Sequence, residues 1–267
     1  MFPVGNDPDC GHSTGMEKYG PETYGDLFAC VYDDWYGDDG NVALSIMGNP
    51  DVVAEKIFSL ADGGSVLELG VGSGRLALPI AKKGLDITGV DASDAMLDLL
   101  RAKPGSEAIR IIKGDMADPP GLEPETFSLI FVGFNTFFNL TSQKDQESCI
   151  AAVERLLKPG GRFIIEAFVP DPKTHDGFSI RSIEVDRILA DAVLIDEEEQ
   201  TITGQRIEMT SSGNRLFPYL LRYVYPSQLD DMASAANLSL EDRWEDWLDS
   251  PYTEESPVHV SVWKKPV

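Results

Sequence analysis

Residues 65–75 read Ser65-Val66-Leu67-Glu68-Leu69-Gly70-Val71-Gly72-Ser73-Gly74-Arg75, and this stretch decides the fold. Val66, Leu67 and Leu69 form a short apolar run suited to a buried parallel strand. The run breaks at once into three glycines, where a helix can begin. Glycine at such a break lets a bound group approach the backbone without a Cβ in the way, and the unpaired N–H groups of the new helix face whatever is bound. The stretch predicts a ligand at the carboxyl end of a central strand.

The spacing narrows the ligand. A dinucleotide fingerprint, G-x-G-x-x-G, counted from Gly70 and Gly72 requires glycine at position 75, where Arg75 stands. The segment instead reads E-x-G-x-G-x-G from Glu68 to Gly74, and Val90-Asp91 closes the next strand candidate. Further along come Gly114-Asp115-Met116, the apolar run Phe127 to Val132, and Leu157-Lys158-Pro159-Gly160-Gly161-Arg162-Phe163. Their order over residues 65–168 resembles that of class I S-adenosylmethionine (SAM) dependent methyltransferases. The resemblance implies SAM as cofactor and S-adenosylhomocysteine as product. It implies a Rossmann-like α/β fold with a seven-stranded sheet, an N-terminal helical cover and an antiparallel β insertion after strand five. It also implies cofactor contacts from Tyr24, Glu68, Gly70, Val71, Gly72, Gly74, Arg75, Asp91, Ala92, Met96, Gly114, Asp115, Met116, Phe134 and Asn135. Asp91 would take the ribose hydroxyls and Asp115 the adenine amino group. Met96 would pack on adenine or serve the core.

Composition limits the partners. Forty-five acidic residues against 22 Lys plus Arg give a formal charge of −23, and nucleic-acid affinity comes mainly from Lys and Arg on phosphates. DNA, RNA and anionic membranes are thereby disfavoured. No apolar run approaches the roughly 20 residues of a membrane-spanning helix, and the N-terminus lacks a signal-peptide pattern, so the expected location is cytoplasmic. Cys10, Cys30 and Cys149 are odd in number and scattered, which argues against a disulfide framework or a zinc site. No metal is expected, and monomer and homodimer stay open.

Residues 1–20, rich in Gly, Pro, Asp and Ser, read as a flexible segment, and 21–267 as one methyltransferase domain. From Tyr24 through Phe28, Val31, Tyr32 and Trp35, aromatics recur at helical spacing. Packing onto the core accounts for most of such a face. Tyr24 and Tyr36 are singled out because a phenol can cover a sulfonium and hydrogen-bond a substrate. Gly133 to Leu140, with Phe134, Asn135 and Phe138, falls beyond the end of strand four, where ligands bind in open α/β sheets. Asn135 is a candidate for the methionine part of the cofactor or for a polar group of the substrate. Runs at 183–189, 192–195, 201–209 and 216–225, between turn signals, predict an antiparallel meander over about 171–225.

Candidate acceptor contacts are Tyr32, Tyr36, Phe138, Arg222, Tyr223 and His259, and candidate bases are His175, Glu166 and Tyr36. The segments Phe134 to Leu140, Arg222 to Pro226 and His259 to Trp263 resemble bacterial natural-product methyltransferases. That resemblance implies a small neutral or cationic acceptor, methylated on N, O or C. A protein-directed methyltransferase, a nicotinamide oxidoreductase and a SAM-binding protein without turnover are the competing readings.

Overall fold

The computed structural model describes residues 19–37 and 49–267. The predicted flexible N-terminal segment therefore lies, up to residue 18, outside the described residues. Two helices come first, α1 (Thr23–Tyr36) and α2 (Pro50–Ala61). Asn49 caps α2 by accepting from the Asp51 N–H at 2.9 Å, and Pro50 opens the first turn, the arrangement that the Asn-Pro pair predicts.

The alternation that follows is β1 (Val66–Leu69), α3 (Ala77–Lys82), β2 (Ile87–Asp91), α4 (Asp94–Arg101), β3 (Ile109–Lys113), β4 (Phe127–Val132), α5 (Gln143–Leu156) and β5 (Leu157–Phe168). Helix α3 begins only after the three glycines, and not within them. Gly72 and Gly74 both hold positive φ, so the chain completes a turn before the helix can propagate. After β5 come α6 (Pro172–His175), β6 (Gly177–Ile183), β7 (Arg187–Asp196), β8 (Thr201–Thr210), β9 (Gly213–Arg222), α7 (Pro226–Ala235), β10 (Ser239–Trp244) and β11 (Val258–Lys264).

Seven strands form one sheet in the order β10-β11-β5-β4-β1-β2-β3. The five from β5 to β3 run parallel, while β10 and β11 are antiparallel additions at one edge. Strand β1 lies between β2 and β4, so the chain order reverses there and a crevice opens beyond its carboxyl end. Strands β6 to β9 form a separate antiparallel sheet, placed in sequence between β5 and α7.

This meander departs from the predicted runs at two places. A turn at 184–186, closed by the Glu184 N–H on the Arg187 carbonyl at 2.8 Å, separates β6 from β7 where one run was expected. Strand β7 then passes unbroken through Asp191, because two arginines pair with that buried carboxylate and offset the cost of its desolvation. Apolar side chains cover both faces of the seven-stranded sheet, with Leu67, Leu69, Ile130 and Ile165 on one side and Val66, Ile87, Leu129 and Ile164 on the other.

Helix α1 bridges the two sheets. Phe28 and Trp35 pack on Phe217 of β9, with ring centroids 5.5 and 4.9 Å away. On its other side Gly25 lies so close to Ser93 that a Cβ would sit 2.5 Å from the serine Cβ. Ser93 Oγ donates to Asp26 at 2.6 Å, and Asp33 takes bonds from Ser73 Oγ at 2.7 Å and Lys103 Nζ at 2.8 Å. Cys149 is a buried free thiol, and Cys30 is disulfide-bonded, a cross-link that the scattered cysteines did not announce. Among the described residues no helix is long and apolar enough to cross a membrane.

Candidate active site

Two cavities meet under α1. The smaller, of about 210 Å³, opens at the carboxyl ends of β1, β2 and β3 and is lined by Gly70, Gly72, Asp91, Ala92, Met96, Gly114, Asp115 and Met116, with Tyr19, Gly20 and Thr141 among the others. The three glycines of the first turn serve different ends. A Cβ at Gly70 would meet Thr136 Cγ2 at 2.2 Å, and one at Gly74 would meet Leu100 Cδ1 at 2.3 Å. At Gly72, φ is +53° and nothing lies within 4 Å of the Cβ position, so that glycine leaves open the space a ligand needs.

Asp91 turns its carboxylate toward the same turn. It accepts from the Gly72 N–H at 2.8 Å and the Ser93 N–H at 2.9 Å. Burial raises its pKa, and those backbone bonds oppose the rise. Asp115 Oδ1 accepts from the Ala117 N–H at 2.8 Å. Glu68 does not line the cavity. It is buried at the end of β1, and its Oε2 has no hydrogen-bond partner among the described residues. Burial and the nearby Asp91 charge push its carboxyl well above the usual range, with Arg75 pulling the other way. A buried carboxyl with an unfilled oxygen among the described residues, behind a glycine turn with open space, fits a ligand that brings hydrogen-bond donors. Val71 is buried, and Arg75 sits with its guanidinium 4.9 Å from the Phe134 ring centroid, outside both cavities.

The larger cavity, of about 440 Å³, lies between α1, the turn after β4 and the antiparallel sheet. Its walls include Tyr24, Tyr32, Tyr36, Phe134, Asn135, Phe168, His175, Arg181, Asp191, Arg206 and Tyr219. Tyr24, Tyr32, Thr136 and Asn139 line both cavities and so mark their junction. The Asn139 side-chain oxygen is buried there with no hydrogen-bond partner. Burial raises the pKa of the Tyr24, Tyr32 and Tyr36 phenols, so all three are protonated at neutral pH.

Glu166 holds the turn after β4. Phe134 and Asn135 both take left-handed φ, +56° and +62°, a conformation that costs a bulky side chain about 1–2 kcal/mol. Glu166 Oε2 accepts from the Phe134 N–H at 2.8 Å, its carbonyl accepts from the Asn135 N–H at 3.1 Å, and Asn135 Oδ1 accepts from the Phe168 N–H at 2.7 Å. Oε1 takes the Trp247 indole N–H at 2.8 Å. The expectation that Glu166 acts as a base is therefore corrected: it is buried, outside both cavities, and occupied in bracing the turn.

Four expected acceptor contacts are corrected as well. Phe138 is fully buried and packs edge-on to Phe168. Arg222 bonds to Gln146 of α5, and Tyr223 is buried next to Tyr225. His259 is buried on β11 with Nδ1 2.8 Å from Ser261 Oγ, and burial with the nearby Arg243 charge drives its pKa down to about 3. These side chains fall on the core or outer side of their elements. Tyr32, Tyr36 and His175 line the larger cavity, where His175 Nδ1 lies 2.9 Å from the Asp171 carbonyl oxygen. Sequence reading missed Arg181, Asp191, Arg206 and Asn139, since alternation in a meander gives the inward face but no chemistry.

A glycine turn after a central strand, a carboxylate at the end of the next strand and a larger cavity roofed by a separate sheet are the arrangement of a Rossmann-like methyltransferase. The signature of a methyltransferase domain matches residues 66–161. The structure of the CcbJ methyltransferase from Streptomyces caelestis is 36% identical, over 93% of this chain and 100% of that one, with a TM-score of 0.84. This chain belongs to the SAM-dependent methyltransferases. The cypemycin N-terminal methyltransferase of a Streptomyces species is 26% identical over 199 residues, 73% of this chain and 80% of that protein. DesVI of Streptomyces venezuelae, at 21% identity over 90% of this chain and 98% of that one, shares the fold with a TM-score of 0.65.

Proposed function

We propose that the chain methylates an amine nitrogen of a small-molecule acceptor. The observation that carries this reading is Asn139 Oδ1, a buried acceptor without a partner among the described residues, at the junction of the two cavities. An amine N–H satisfies it and is thereby oriented.

SAM, when bound, supplies a methyl group already activated on a sulfonium. Gly70, Gly72, Asp91, Asp115 and Met116 would hold it, with Glu68 behind the turn. What remains for the protein is alignment and exclusion of water. Tyr24 and Tyr32 wall the junction with aromatic faces, which favour a nearby cation. Their phenols, held protonated by burial, are hydrogen-bond donors and not bases. An amine that arrives neutral attacks with its own lone pair and releases its proton to solvent afterwards, so no base is required. The cypemycin relative, named as an N-terminal methyltransferase, agrees with an amine acceptor.

His175 favours a second reading, methylation of a hydroxyl, because its imidazole lines the acceptor cavity, and an imidazole is a common general base. The test is intact-mass detection of methyl transfer from labelled SAM to a panel of small amines and phenols, with the wild type and a His175→Ala variant. Amine products formed equally by both proteins support the first reading. Phenol products that vanish in the variant support the second and sink the first.

A further inference from the structure

The acceptor cavity carries an uncompensated positive charge on the face of the antiparallel sheet. Asp191, fully buried, is gripped by Arg206 through Nε and Nη2, each at 2.8 Å, and by Arg181 through Nε at 2.6 Å. Arg206 is used up, since its remaining nitrogen, Nη1, donates to the Tyr36 hydroxyl. Arg181 is not. Its Nη1 and Nη2 have no partner among the described residues, and its side chain, 32% exposed, lines the cavity. Two guanidiniums against one carboxylate leave one positive charge in excess, and among the described residues no other acid lines that cavity. The acids nearby are engaged elsewhere: Glu184 and Asp34 with Arg187, and Glu208 with Arg215 and Arg187.

From this geometry we infer that Arg181 binds a carboxylate of the acceptor, so that the substrate is an amine that also carries a carboxylate. The inference deepens the amine reading and rests on it for the methylated atom only. A planar guanidinium edge with two N–H-bearing nitrogens matches a carboxylate in a bidentate pair. A single excess charge suits a monoanion better than a dianionic phosphate. Asp191 has a positioning role: it fixes Arg181 by its Nε and leaves the fork directed at the ligand. The chain's overall charge of −23 makes such a site the more selective, since an anion gains nothing from the long-range field and is held only by local contacts.

The test separates anion recognition from methyl transfer. Binding of benzoate, phenylacetate and phenylalanine, each paired with its carboxamide, is measured by ligand-observed NMR on protein saturated with S-adenosylhomocysteine. The carboxylate of at least one pair should bind about tenfold or more better than its amide, the scale of a charge-assisted bond. The preference should fall to near unity in Arg181→Gln and return in part in Arg181→Lys. Arg206 keeps Asp191 paired in both variants, and a circular-dichroism melt checks that each is folded. Equal binding of acid and amide by the wild type, no carboxylate binding at all, or a preference that survives in Arg181→Gln overturns the inference. Carboxylate binding that depends on Arg181, with no methylation of any amine, sinks the amine reading and leaves the anion site standing.

Discussion

The buried His259 makes the stability of this protein depend on pH in a window set by one ring. In the folded chain its pKa is about 3, lowered first by burial and then by the Arg243 charge, and its Nε2 has no hydrogen-bond partner among the described residues. In the unfolded chain the ring titrates near the ordinary value of about 6.5. Between these values the unfolded state binds a proton that the folded state refuses. Stability therefore falls as pH drops below about 6.5, and the loss is complete only near pH 3. From pH 8 to pH 5 the ring alone removes about 2 kcal/mol, from a pKa gap that exceeds the pH excursion below 6.5. Urea unfolding at the two pH values gives the total change, to which carboxylates also contribute. Glu68 and Asp91, whose folded pKa values are raised, act with the opposite sign. The His259→Asn variant isolates the histidine, since its amide can replace Nδ1 toward Ser261 Oγ but does not titrate. The variant should lose about 2 kcal/mol less than the wild type over that interval. Equal losses in the two proteins, or an NMR titration of the His259 ring near pH 6.5, would refute the reasoning.

Two further predictions concern the cofactor turn and its brace. Gly72→Ala adds one methyl where no protein atom lies within 4 Å, so the chain should still fold, at a cost of about 1 kcal/mol for the left-handed φ. SAM affinity measured by calorimetry should drop at least about tenfold, and unchanged affinity would remove Gly72 from the cofactor cradle. Glu166→Ala leaves the Phe134 N–H and the Trp247 indole unsatisfied, so denaturant unfolding should show a loss of about 2–4 kcal/mol. Its residual turnover should keep the wild-type pH profile, whereas a lost titration limb would restore Glu166 as a base.

Much of the cofactor half was legible because its signals are local. The strand-to-glycine break at Leu69-Gly70 and the acid at Asp91 are fixed by chain geometry within a few residues, and the folded chain brings Gly70, Gly72, Asp91 and Asp115 to one cavity. The acceptor half was not legible in the same way. Arg181, Asp191 and Arg206 come from three strands of a meander, and only the register that pairs Asp191 with Arg206 brings them together. Arg222 and Tyr223 follow the same aromatic and basic pattern, yet they stand at the far end of β9 against α5. Phe138 and His259 carry chemistry that attracted a functional reading, but period-2 alternation cannot tell which side of a doubly covered sheet faces a ligand. Glu166 is visible in the sequence as an acid within the apolar run of β5. The backbone strain at Phe134 and Asn135, which it relieves, has no signature in the sequence.

Four residues, Tyr24, Tyr32, Thr136 and Asn139, belong to the walls of both cavities. Cofactor and acceptor therefore press on the same side chains, and any freedom that one ligand removes from them is no longer there for the other to remove. The two affinities are linked through this shared wall, and thermodynamic reciprocity makes the linkage equal in both directions. The phenol rings of Tyr24 and Tyr32 are thus where such a linkage would be read, as a change in acceptor affinity when S-adenosylhomocysteine is bound.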